Sequence, residues 1–330
     1  MSTRRAACIL SVSLPAFLPL PDAQGATFRV NPDGSGDFPT IQEAVDVAAE
    51  GDDVVLGDGV FRGPGNRDVF ILLRSVSIRS VSGDPSACII ECEGSASEPH
   101  RGLYFARTGP TPTVLEGITI RGGWRDVAGG LVLSYAPVTV RSCIFDSNVA
   151  GVAGGAIFSQ YTSPLVENCV IVNNKAAVGF GGAIVCTAGS SLTVRNCTIV
   201  GNEASSGSAV AINELASIDI RNSILADNIG GELFWCEGPV TINISCTDIY
   251  GNDYGDWTGC LTGMGPYNAN FSRDPRFCRA EGADYTLRAD SPCAAPGVTG
   301  CGLVGALPVG SPCRAIVVPR TWGRTKAGYR

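Results

Sequence analysis

Histidine is almost absent: His100 is the only one in 330 residues. A single imidazole excludes any metal site that needs two of them. Charge is sparse as well, with Asp, Glu, Lys and Arg making up 17% of the chain and a formal net charge of −7. The Lys and Arg residues are scattered, and a phosphate backbone is tracked by clustered cations, so nucleic acid is not an expected partner. Long periodic helical stretches are missing. So is an apolar run of the roughly 20 residues that a membrane-spanning helix needs, because the longest candidate, Ala6 to Leu20, is broken by Pro15 and Pro19.

That run has another reading. It follows Arg4-Arg5 and leads to Ala23-Gln24-Gly25, which puts small residues at positions −3 and −1 of a cleavage site. Residues 1–25 are therefore expected to be a signal peptide of bacterial type. The mature chain would then be extracellular, periplasmic or on the cell surface, with no transmembrane segment. What is abundant points to one architecture: 42 glycines, 20 prolines and 45% apolar residues describe many short strands, tight turns and a large core.

After the leader, residues 26–60 combine a strand with a short amphipathic helix. Thr40 and Glu43 form a capping box, Ile41, Ala44, Val45, Ala48 and Ala49 share one helical face, and Gly51 suits a left-handed stop, so a helix is predicted over 40–50. Laid over the open end of a stack of strands, such a helix would hide an unpaired edge.

A repeat then sets the fold. Val140-Arg-Ser-Cys143 to Asn148 returns as Val166-Glu-Asn-Cys169 to Asn174, as Val194-Arg-Asn-Cys197 to Asn202, as Ile220-Arg-Asn-Ser223 to Asn228, and with altered lengths as Ile244-Ser-Cys246 to Asn252. The closing asparagines are 26, 28, 26 and 24 residues apart. Upstream sit Gly129-Gly130, Gly154-Gly155, Gly181-Gly182 and Gly207-Ser208. No unit can bury its Val and Ile face alone. Stacked about 4.8 Å apart, each pairs with the one below. Asn148, Asn174, Asn202, Asn228 and Asn252 would form a hydrogen-bonded ladder, each expected in the left-handed region. Leucine-rich repeats lack a matching Leu pattern here, and propeller blades need longer units. With the apolar runs at 69–81, 88–92, 102–106 and 114–120, about nine coils are predicted, spanning 61–256.

The DGSGDF and TIQEAV segments within residues 33–45 resemble the start of pectin methylesterases and other bacterial β-helix proteins, and the GGAI and C-x4-N elements resemble the repeats of polymorphic outer-membrane proteins. The resemblance implies an all-β, right-handed parallel β-helix of the pectin-lyase-like superfamily. It implies no activity, because the Gln-Asp and Asp-Phe-x-x-Gly signatures of the esterases and the motifs of polygalacturonases are missing.

Ten of the 14 cysteines fall into two groups. Cys143, Cys169, Cys197 and Cys246 share a repeat position, with Ser223 in the same column, and side chains one coil apart are slightly too distant for disulfides. Reduced, inward-facing thiols are predicted for all four. Cys260, Cys278, Cys293, Cys301 and Cys313 lie in a less regular closing coil and cap, 257–313. Exported proteins bond such cysteines, and Cys236 is a further partner.

Candidate chemistry is thin. Trp124, Arg125 and Asp126 follow Arg121 at a coil edge, and with Tyr135 and Tyr161 they are the candidate carbohydrate-binding residues. Asp248, Asp253 and Asp256, beside Asn252, are the candidate oxygen ligands for a calcium ion. His100, in Glu98-Pro-His-Arg101, has no nucleophile motif nearby and is expected in a solvated loop. Residues 314–330 form a basic, aromatic tail in which Trp322, Lys326 and Tyr329 are spaced for one helical face. The leading expectation is a non-catalytic secreted or surface-attached protein for adhesion or glycan binding, its partner a polysaccharide or cell-surface glycan. A calcium-assisted uronate lyase is the alternative.

Overall fold

A computed structural model describes residues 25–265, 267–294, 300–310 and 313. Residues 1–24 of the expected signal peptide and the basic tail lie outside the described residues. Within them the chain winds through about nine coils and builds three long parallel sheets. Sheet I has nine strands, from Thr27–Val30 to Thr241–Ser245; sheet II has eight, from Gly59–Phe61 to Asp248–Tyr250; sheet III has seven, from Val69–Leu72 to Phe234–Glu237. A short fourth sheet of five strands, from Trp124–Val127 to Ile229–Gly230, was not foreseen. It lies between sheets II and III in each coil that has it.

Strands of three to five residues suffice because alternate side chains of the same register stack into columns. In sheet I the column runs Val54, Ile78, Leu115, Val140, Val166, Val194, Ile220 and Ile244. In sheet II it runs Phe61, Ile90, Ile120, Phe145, Ile171, Ile199, Leu225 and Ile249. All are buried. Burial of each such side chain stabilises by about 1.5–3 kcal/mol, so each added coil extends one continuous core.

The asparagines form the expected ladder at an unexpected backbone angle. Asn148 N and Nδ2 both donate to Asn174 Oδ1 at 3.0 Å, Asn174 does the same to Asn202 at 3.0 Å, Asn202 to Asn228 at 3.0 and 3.1 Å, and Asn228 to Asn252 at 3.0 and 2.9 Å. The left-handed residue is the preceding one: Ser147, Asn173, Gly201, Asp227 and Gly251 have φ between 53° and 70°. Turning the chain one residue early aims the ladder amides inward, where every one is at most 7% exposed.

The cysteine column needs a similar one-residue correction. Cys143, Cys169 and Cys197 are free and buried, and Ser223 and then Thr247 continue their column. Cys246 instead occupies the left-handed corner with Ser142, Asn168, Asn196 and Asn222 (φ 50–53°). From there it points outward and bonds Cys301. Cys236–Cys260 and Cys278–Cys313 are also disulfides. Cys293, expected among the bonded group, is a buried free thiol.

The helix spans Ile41–Val47, with Thr40 accepting from Glu43 N at 3.3 Å, and buries Ile41, Ala44 and Val45. It is shorter than predicted because Ala48 already turns extended (ψ 137°) and Ala49 N donates to Asp52 Oδ2 at 2.7 Å. Gly51 is left-handed (φ 87°) in the turn that follows, not at the helix end.

The closing segment does not simply add a coil. Tyr285, Leu287, Cys293, Ala294 and Val304 pack on the outward residues Val170, Val172, Val200, Ile224 and Ala226 of sheet II, forming a second core outside the solenoid. Ala306 N donates to Thr198 Oγ1 (3.0 Å) and Asn222 Nδ2 to Cys301 O (2.9 Å), so the segment is strapped across several coils.

Candidate functional site

The outer face of sheet III gathers the chemistry of the early coils. Asp68, left-handed (φ 53°), stands just before the strand Val69–Leu72, and one coil on, His100 and Arg101 stand just before Leu103–Ala106. Asp68 Oδ1 accepts from Arg125 Nη2 at 2.8 Å and from Arg101 N at 3.0 Å, while Oδ2 lies 2.6 Å from His100 Nδ1. Burial alone would raise this carboxyl, but the hydrogen bonds from Arg125, the Arg101 backbone and His100 outweigh it and hold it below its ordinary value. His100 is thus half-buried and paired, a correction to the solvated loop expected for it. Its Nε2 has no hydrogen-bond partner among the described residues.

Arg101 sits at the centre. Its Nη2 donates to Val127 O at 2.9 Å, and its Cζ lies 5.5 Å from the Tyr104 ring centre. Burial, then the neighbouring Arg125, pushes its guanidinium below the ordinary value. Phe70 meets Tyr104 edge to face at 5.2 Å. Asp68, Phe70, Arg101, Tyr104 and Arg125 line a recess of about 280 Å³. A second recess of about 390 Å³, lined by Arg273, Asp274, Arg276 and Asp290 among others, lies in the closing segment, where Arg276 is already bound to Asp290 at 3.1 Å. The first is the better site, because it joins cations to aromatic ring faces.

At the far end of the same strand, Arg107 Cζ lies 5.1 Å over Tyr135, whose ring stacks on Tyr161 at 4.7 Å and 11°. Both tyrosines are about half exposed (45% and 51%). The sequence-level candidates therefore divide. Arg125 joins Asp68 at the recess and Tyr135 joins Tyr161 at the opposite corner, while Trp124 is half-buried and Asp126 exposed on the short fourth sheet. Arg121 pairs with Glu91 at 2.6 Å on sheet II.

The three carboxylates proposed for calcium are not brought to a common point. Asp248 is buried and held by Arg273 N (3.0 Å) and Cys293 Sγ (3.1 Å); Asp253 accepts from Gly230 N (3.3 Å); Asp256 accepts both ladder donors of Asn252 (3.1 Å each). Among the described residues no three acidic, Cys or His side chains converge as a metal cluster.

Asp68, His100, Arg101 and Tyr104 were missed in the sequence. Only the pairing of Val69 with Leu103 places Asp68 one coil from Arg101, and the early coils lack the regular marks that would give that register.

Comparison with known proteins agrees with the architecture. Residues 74–225 match the family described as a right handed beta helix region. No curated protein matches the chain in sequence. Among solved structures, pectate lyase Pel9A superposes with a TM-score of 0.51 at 12% identity, over 72% of this chain and 68% of that one. The pectin methylesterase from Aspergillus niger gives a TM-score of 0.42 at 15% identity, over 74% and 89%. At 12% identity the likeness to Pel9A speaks to the fold alone, and nothing is drawn from the weaker superposition. With its stacked parallel sheets, its family match and its likeness to Pel9A, the chain is a right-handed parallel β-helix of the pectin-lyase-like fold.

Proposed function

We propose that this β-helix is a secreted or surface-attached glycan-binding protein without catalytic activity, serving adhesion, and that it takes an acidic polysaccharide along the outer face of sheet III. The strand Leu103–Ala106 carries this reading. Arg101 before it covers Tyr104 and Arg107 after it covers Tyr135, so two cation–aromatic pairs bracket one strand in a chain of net charge −7. Ring faces accept the C–H faces of sugars, and guanidinium groups match carboxylates in two-pronged hydrogen bonds. At the recess Arg101 and Arg125 exceed the single Asp68 carboxylate, leaving positive charge for a uronate. Three disulfides support an oxidising compartment outside the cytosol.

Calorimetric titration with oligogalacturonate tests this reading. Arg101→Ala and Arg125→Ala should each weaken binding about tenfold, equivalent to ~1.4 kcal/mol. Equal affinity of wild type and both variants would refute it.

A uronate lyase is favoured by one feature, the imidazole of His100 oriented by Asp68 with Nε2 unpartnered. A base so held, beside two guanidinium groups that neutralise a substrate carboxylate, suits removal of a proton α to that carboxylate. Ultraviolet detection of unsaturated uronate product, with and without calcium, distinguishes the two. Product that disappears in His100→Ala would replace the binding reading.

A further inference from the structure

The corner where sheet III turns towards sheet I holds one left-handed residue per coil: Leu73, Arg107, Tyr135, Tyr161, Ala188 and Glu214, with φ from 51° to 59°. Residues with a Cβ seldom adopt this conformation, yet here the coil-to-coil hydrogen bonds impose it, as in Arg107 N to Ser134 O at 2.8 Å and Tyr135 N to Gln160 O at 3.2 Å. The side chains consequently stack along the solenoid in the order Arg107, Tyr135, Tyr161. The ring spacing of 4.7 Å equals one coil step, so the rings lie across the axis and the second face of Tyr161 looks towards the next coil.

That next rung is nearly empty. Ala188 offers only a methyl group, and a Cβ added to the adjacent Gly189 would meet nothing within 4 Å. The rung after it is Glu214, an exposed carboxylate that accepts from Thr187 Oγ1 at 3.2 Å and has the 73% exposed Leu215 beside it. The backbone rungs of Tyr161 and Glu214 are thus two coil steps apart, roughly 9.6 Å, with Ala188 and Gly189 between them and the Glu214 carboxylate leaning back towards Thr187, which leaves a notch of about one rung beside the Tyr161 ring.

We infer that this notch is a subsite for a single neutral pyranose ring, with its C–H face on Tyr161 and its hydroxyls donating to the Glu214 carboxylate. Such a ring is about as thick as the missing rung. Charge sets the selectivity: Glu214 repels a uronate, whereas the recess at Arg101 and Arg125 attracts one. The subsite rests on the glycan-binding reading and adds to it a second position of different chemistry.

Saturation-transfer NMR on the full chain tests it with three probes: cellobiose, digalacturonate and acetyl-arginine amide. Cellobiose ring protons should receive saturation from the wild type. The signal should vanish in Tyr161→Ala and in Ala188→Tyr, which fills the rung, and fall several-fold in Glu214→Ala; circular dichroism confirms the fold of each. Cellobiose transfer that survives Ala188→Tyr, or is missing in the wild type, overturns the subsite. So does transfer to acetyl-arginine amide in place of cellobiose, which would assign the notch to a protein side chain. Digalacturonate transfer should be lost in Arg101→Ala and kept in Ala188→Tyr. If digalacturonate fails while cellobiose behaves as stated, the acidic-glycan reading falls and the notch stands.

Discussion

The buried side chains of single residues carry several direct consequences. Asn202 accepts from Asn174 N and Nδ2 and donates to Asn228 Oδ1 and Ile171 O. Asn202→Ala strands several of these groups away from water, and each unsatisfied buried group costs about 1–3 kcal/mol. A drop in the urea midpoint of that order is expected, and an unchanged midpoint would contradict the ladder. Asp248 titrates in the opposite sense to most carboxylates: burial raises it from 3.8 to about 7, against the hydrogen bonds from Arg273 N and Cys293. Its folded form holds the proton more tightly than the unfolded chain, so its contribution to stability is full below about pH 4 and is lost as pH rises to about 7. Asp248→Asn should therefore gain stability over the wild type at pH 8 and little or none at pH 4, read from urea unfolding at the two values. Thiols behave simply. Burial raises Cys88 and Cys186 to about 12, so native alkylation is slow. Under denaturing, non-reducing conditions, Cys88, Cys92, Cys143, Cys169, Cys186, Cys197 and Cys293 should be labelled, and the six bonded cysteines should not.

At the scale of elements, the helix Ile41–Val47 touches the strands Thr27–Val30, Asp53–Leu56 and Val69–Leu72, with Val45 only 2% exposed. Val45→Asp puts an unpaired charge into that apolar contact and loosens a cover over strand edges that can recruit another chain. Aggregation in size-exclusion chromatography is the expected outcome; a soluble monomer with unaltered melting would make this helix a surface element. Elements also mark where the sequence was legible. Coils between Val140 and Asn228 could be read because Cys, Asn and Gly recur at fixed steps, and side chains in one column face one environment. The corner geometry could not: whether the left-handed residue is the Asn or its predecessor depends on backbone direction, which composition does not record. Cys246 shows the same limit, since it stands one position earlier in its unit than Cys143, Cys169 and Cys197 do in theirs, at the corner with Asn222, while Thr247 takes the inward column. The recess at Asp68 was hidden because its residues come from three coils, and only pairing register brings them together.

Over the whole molecule, the closing segment acts on the solenoid from outside. Its apolar residues cover the outward face of sheet II, which explains why strands such as Val170–Val172 and Ile224–Ala226 are buried on both sides and show no alternation. The Cys246–Cys301 bond ties residues 55 apart in sequence and fixes this strap to the final coil. Replacing both cysteines by serine should cost about 2–4 kcal/mol and make the closing segment the first region cut in limited proteolysis. Cleavage beginning among the central coils would show that the strap holds without its bond.

The asparagine ladder has a direction. Each rung hands its amide hydrogens to the next, and the series ends on Asp256, whose carboxylate accepts from Asn252 and has no hydrogen left to hand on; at the other end Gly123 N supplies Asn148 Oδ1 at 3.0 Å. Along the ladder, a unit of about 26 residues between Asn148 and Asn252 passes its hydrogen bonds on in the same way whichever coil it is, whereas the closing segment, bonded to Thr198 and Asn222, holds the coils beneath it in a fixed number. Growth beyond Asp256 would need that residue replaced first. The ladder alone would admit a duplicated coil at any of its rungs, and the strap across sheet II is the part that ties the number of coils to the closing segment.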